Sequence, residues 1–96
     1  MHARVTTVHG NPAGVDAGIE NFRTNVAPFA REHGKGSLLL VDRETGDAMV
    51  VSFWEDEASL RASEERANAL RADAAEQMAA SEAPGVGRYE VAVFDI

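Results

Sequence analysis

The sequence predicts an α+β domain: one four-stranded antiparallel sheet with two helices on one of its faces. Three observations predict it. Four β-rich runs and two amphipathic helical stripes follow one another in the order β-α-β-β-α-β. The two βαβ halves, joined by right-handed crossovers, set the third strand beside the first and antiparallel to it. The chain of 96 residues is one domain's worth, so residues 1–96 are expected to form a single unit.

Each element has its own signal. Ala3 to Val8 is β-branched and stops at His9-Gly10-Asn11-Pro12, a breaker cluster. Ser37 to Val41 and Asp47 to Trp54 are the second and third strands. The loop Asp42-Arg43-Glu44-Thr45-Gly46 joins them as a hairpin, with Gly46 in the left-handed position. The fourth strand is read from Arg88 to Ile96, entered through Pro84-Gly85-Val86-Gly87.

Between the first two strands, Val15, Ile19, Phe22, Val26 and Phe29 recur at helical spacing. Asp16 is placed as N-cap and Gly34 as the stop. Pro28 is expected to kink this helix or to stop its regular winding a turn early. The second helix carries Leu60, Ser63, Ala67, Leu70, Ala74 and Met78 on one stripe, capped by Asp56. Its small residues bring it close to the sheet. The arrangement so predicted is ferredoxin-like.

Composition narrows the function. Nine basic and 16 acidic residues leave a formal charge of −7, which repels phosphate backbones and anionic lipid. Nucleic acid and membrane are therefore not expected partners. Absence of cysteine removes thiolate nucleophiles and disulfides. The chain opens on polar residues and no run approaches a membrane span, so a cytoplasmic location is the expectation. His2, His9 and His33 share no metal-ligand spacing, and no metal is expected.

A sheet with one wet face alternates apolar and polar residues. Here Met49, Val50, Val51, Phe53 and Trp54 are apolar on both parities, as are Leu38 to Val41. Two helices cover one face only. At about 25 cal/mol per Å², a few hundred Å² left bare on the other is several kcal/mol of unused burial. A second copy, sheet against sheet, is the simplest cover, so a two-fold homodimer is expected.

Some polar residues are candidates for chemistry. Arg4, Thr6 and Thr7 on the first strand and Ser52 on the third sit in central strands and need partners: a ligand, water, or Glu90 or Asp95. His9 has the right intrinsic pKa for proton transfer, or is a solvated loop residue. Asn11 is placed to hydrogen-bond an oxyanion, or merely to turn the chain before Pro12. Trp54 either walls a pocket or packs under the second helix. Tyr89 either donates to an oxygenated intermediate or packs at an edge.

The chain resembles the dimeric α/β-barrel superfamily, and within it the antibiotic biosynthesis monooxygenase-like family. The resemblance runs over nearly the whole chain. It rests on Val26-Ala27-Pro28 with Gly36, on the hairpin Leu39 to Gly46, on Phe53-Trp54-Glu55-Asp56-Glu57-Ala58-Ser59-Leu60, and on Tyr89-Glu90-Val91. It implies a cofactor-free oxygenase of aromatic or polyketide-like molecules, with one pocket per subunit between sheet and helices. His9, Asn11, Trp54 and Tyr89 are then the candidate catalytic residues. Haem-degrading relatives carry a further Trp and a His on the second helix and an Asn on the first strand. Here the stretch around Ser63 and Asp73 has neither, and the first strand has no Asn, which argues against haem. The competing reading is a non-catalytic dimer that binds a small ligand or serves a structural role.

Overall fold

The computed structural model describes residues 1–96. β1 (His2–His9) ends where Asn11 takes over. The Asn11 side chain accepts the Ala13 N–H at 2.9 Å and caps a short 3-10 turn, Pro12–Gly14. α1 (Val15–Asn21) follows directly, with Gly14 at its N-cap. Asp16 therefore lies inside the first turn and does not cap it, because Asn11 and Pro12 have already started the helical winding.

Pro28 does not end the helix, but it stands just past a break in the regular α winding, which stops at Asn21 and resumes at Ala27. It lacks the N–H that the Thr24 carbonyl would use, and its ring crowds that turn. The helix widens instead into a π turn, Phe22–Val26, in which the Ala27 N–H reaches back to the Phe22 carbonyl. α2 (Ala27–His33) continues beyond it and ends at Gly34.

β2 (Gly36–Val41) and β3 (Asp47–Trp54) form the hairpin, with Gly46 left-handed at φ 83°. Asp56 caps α3 (Glu57–Ala62), accepting the Ser59 N–H at 2.8 Å and its hydroxyl at 2.6 Å. Ser63 then divides the second helix. Its hydroxyl donates to the Leu60 carbonyl at 2.7 Å, and α4 (Glu64–Gln77) starts beyond it. Leu60, Ser63, Ala67, Leu70 and Met78 are buried, as their spacing requires. No helix is long and apolar enough to cross a membrane.

The sheet order is β2-β3-β1-β4, antiparallel throughout. β4 (Gly85–Glu90) starts earlier and stops earlier than the fourth strand read from the sequence. The reason lies in its partner. His2, the first residue of β1, pairs with Glu90, so residues beyond have no strand to join. Only the Val91 N–H reaches the Met1 carbonyl, at 2.8 Å.

The pleat sorts the side chains. Arg4, Thr6, Val8, Val50, Ser52 and Trp54 face the helices. Val5, Val51, Phe53, Leu38, Leu40, Met49 and Tyr89 take the opposite parity and face outward. Leu40 and Tyr89 are 54% and 58% exposed. Past β4 the chain folds back over this outer face, where Phe94 meets Phe53 edge-on with ring centroids 5.4 Å apart. The C-terminal Val93, Phe94 and Ile96 remain open to solvent.

Candidate functional site

The chemistry of this fold gathers between β1 and β3 on one side and α4 on the other. A cavity of ≈ 50 Å³ lies there, walled mainly by apolar side chains, with Arg4, Thr6, Ser52 and Arg71 as its polar lining. Val26 and Phe29, on either side of Pro28, form the wall opposite the sheet. Such a volume holds a few waters or a carboxylate-sized group.

Arg4 is a charge on a central strand, only 3% exposed. Burial of a guanidinium demands partners. Its Nη2 donates to the Leu60 carbonyl at 2.9 Å, to the Ser63 hydroxyl at 2.8 Å and to Glu64 Oε1 at 3.1 Å. The expectation that Glu90 or Asp95 would serve is not met; the α3–α4 junction supplies the acceptors instead. The freed carbonyl at the end of α3 and the first-turn carboxylate of α4 both point at the sheet because Ser63 interrupts the helix there.

Glu64 is shared. Arg88 grips it with Nε at 2.6 Å and Nη2 at 2.8 Å. Those hydrogen bonds, with Arg4 next, hold its carboxyl down to about 2, against some desolvation that works the other way. Arg71 approaches the same carboxylate only to 3.9 Å. Its Nη2 donates to Asn68 Oδ1, while Nη1 is buried without a partner. Burial pulls the Arg71 pKa down, and the neighbouring Arg4 adds to this.

Trp54 is buried, with the Arg4 guanidinium carbon 5.4 Å from its ring centroid and Phe29 tilted against it at 5.8 Å. Its indole N–H donates to Ser52 Oγ at 2.9 Å. The indole is a donor only, so the Ser52 hydroxyl keeps its own hydrogen for another acceptor.

The four residues singled out from the sequence do not converge. Trp54 is not on the cavity lining and touches two residues that are, Ser52 and Arg4. His9 is half-exposed at the far end of β1, with Nδ1 3.4 Å from Asp47 and Nε2 3.6 Å from Glu82. Asn11 is engaged as a cap. Tyr89 stands on the outer face of the sheet. No group of three or more His, Asp or Glu side chains comes together as a metal site would need.

Glu64, Arg71 and Arg88 escape the sequence reading, although a signal was present. Positions 60, 64, 67, 71, 74 and 78 step by four and three along the second helix, and they hold Leu, Glu, Ala, Arg, Ala and Met. Two charges thus sit on a face otherwise buried.

No family model matches the chain. It is 40% identical over 83 residues to the uncharacterized protein Rv2558 of Mycobacterium tuberculosis, covering 84% of this chain and 35% of that protein. It is 32% identical over 96 residues to the uncharacterized protein Rv2557 of the same organism, covering 98% and 42%. The chain therefore spans well under half the length of these relatives. Among solved structures, it is similar to a monooxygenase from the gene ActVA-Orf6 of Streptomyces coelicolor in complex with nanaomycin D, with a TM-score of 0.74, 16% identity, and coverage of 99% of this chain and 92% of that one. It is also similar to an antibiotic biosynthesis monooxygenase, with a TM-score of 0.69, 16% identity and coverage of 97% and 100%. A third is SnoaB, a cofactor-independent oxygenase from Streptomyces nogalater, with a TM-score of 0.59, 19% identity and coverage of 97% and 94%. At these identities the likeness establishes the fold, which is the ferredoxin-like fold of antibiotic biosynthesis monooxygenase structures, as the resemblance implied.

Proposed function

We propose that the chain works as a homodimer, paired through the outer face of its sheet, and that each copy is a cofactor-free monooxygenase of an electron-rich aromatic or polyketide-like molecule. The observation that carries the reading is the cavity between sheet and helices: apolar walls, a few hydrogen-bond donors, and no carboxylate or imidazole on the lining. A reaction without a protein base suits a substrate that ionises readily. In such chemistry the substrate methylene supplies all four electrons to dioxygen. One oxygen atom becomes the new carbonyl, and the other leaves as water with the two methylene hydrogens. The protein's share is to exclude water and to favour the ionised substrate. Trp54 is here a positioning residue, orienting Ser52 and stacking near Arg4.

A volume of ≈ 50 Å³ is smaller than an aromatic ring, so the wall must open on binding. The wall that can give is the one carrying Val26 and Phe29, beside the π turn. The same small volume favours the second reading, a dimer that binds a small ligand without turnover. Oxygen uptake separates the two. With an anthrone-like substrate, the enzyme reading expects uptake above the uncatalysed rate, lowered in Trp54→Phe while the variant stays folded. Saturable binding with no uptake leaves the binding protein.

A further inference from the structure

The polar residues around the cavity are unevenly charged. Arg4, Arg71 and Arg88 cluster about one carboxylate, Glu64, and the nearest of its contacts go to Arg88 and Arg4. Arg71 is left with Asn68, an uncharged acceptor, and with Glu64 at the limit of ion-pair range. Its side chain is only 12% exposed. One of its terminal nitrogens, Nη1, has no acceptor at all, and Arg71 is on the cavity lining together with the hydroxyls of Thr6 and Ser52.

A buried guanidinium N–H without an acceptor is costly, because it has given up water and received nothing. Three cations against one anion add to that cost. The charge imbalance is relieved by one event: the arrival of a negatively charged oxygen in the cavity. Hydroxyls of Thr6 and Ser52 on the facing strands supply two further donors, and the Ser52 hydrogen is free because the Trp54 indole occupies its oxygen from behind. The volume matches one carboxylate or one enolate end of a larger molecule, not the molecule entire.

We infer that Arg71, with Thr6 and Ser52, forms a subsite for an ionised oxygen, so that the ligand of this cavity enters as an organic acid: a carboxylate, phenolate or enolate whose anionic end points toward α4. The inference rests on the reading of the cavity as the ligand site and adds the chemical class of what binds there. For a phenolic or enolic substrate it also assigns Arg71 the task of favouring the ionised form.

Benzoate and benzamide have the same shape and differ in charge. Binding of each to the intact chain is followed by amide chemical shifts of Thr6, Ser52 and Ala74 at low salt. The expected result is saturable binding of benzoate roughly tenfold or more tighter than benzamide, the span of a charge-assisted hydrogen bond. Arg71→Met should erase the preference, and Arg71→Lys should keep some of it. Equal affinities, or a preference that survives in Arg71→Met, overturn the subsite but leave the cavity as a ligand site. If neither compound shifts these amides, the subsite and the cavity reading fall together.

Discussion

Arg4 and Arg88 stand directly opposite one another across β1 and β4, two guanidiniums on the helix-facing side of the sheet. Like charges at paired positions normally weaken a sheet. Glu64 reverses the sign, because its Oε1 accepts from both, at 3.1 Å from Arg4 and 2.6 Å from Arg88. One carboxylate from the first turn of α4 thereby ties a central strand, an edge strand and a helix together.

Acid should undo this tie. The folded Glu64 carboxyl titrates at about 2, below its ordinary 4.5, so its contribution is complete above the ordinary value and fades as pH falls from there toward the folded value. After solvent screening of the exposed Arg88 side, that contribution is about 1–2 kcal/mol. Urea melts at stepped pH should show a falling midpoint across this acid window, and Glu64→Gln should be less stable at neutral pH with a flatter acid limb. An unchanged acid limb in the variant would show that other carboxylates govern it.

Trp54→Phe should lower stability by about 1–3 kcal/mol, through a lost hydrogen bond to Ser52 and a void under Arg4. Chemical denaturation followed by circular dichroism gives the value. A loss under half a kilocalorie would mean that neither the indole N–H nor the lost ring volume contributes as described.

Ala79 follows the end of α4 with φ 53°, a left-handed conformation that a Cβ disfavours. The Ala80 N–H closes the turn onto the Ala75 carbonyl at 2.9 Å. Ala79→Gly should therefore stabilise by about 0.5–1 kcal/mol, raising Tm by about 2–6 °C for a domain of this size. A calorimetric scan reads it directly, and a lower Tm would contradict the assignment of strain.

Val51 lies in the middle of the outer sheet face, paired with Val5 and Leu38 on its two sides. Val51→Asp places a charge where the proposed partner sheet packs. Light scattering should give a dimer for the natural chain and a monomer for the variant, with secondary structure retained. A natural chain that is monomeric at working concentration ends the proposal of pairing through this face.

Strand order, the hairpin turn at Gly46 and the stripe of the second helix were legible in the sequence because each depends on local periodicity and turn chemistry. The end of β4 was not. Val91 to Ile96 look like a strand by composition, yet the ladder stops where β1 has no further residue to pair, a fact of register and not of propensity. The site was half legible. Arg4 and Ser52 stand out as polar groups in central strands, but the Arg4 partners come from the helix break at Ser63, which no periodicity announces, and the Ser52 partner is the Trp54 indole on its own strand. Arg71 and Glu64 were overlooked because charged residues on a helix normally face water, although their spacing with Leu60, Ala67, Ala74 and Met78 puts them on the buried face.

The wide turn at Phe22–Val26 acts as an angular setting. Each added residue advances a helix by about 100°, so one residue accommodated in a broader loop rotates all that follows relative to an unbroken helix. Phe29 and Ala30 owe to that rotation their place over Trp54 and the cavity. Replacing Pro28 so that even winding returned, with no residue deleted, would dial a different pair of side chains onto the roof, with the floor of the sheet untouched.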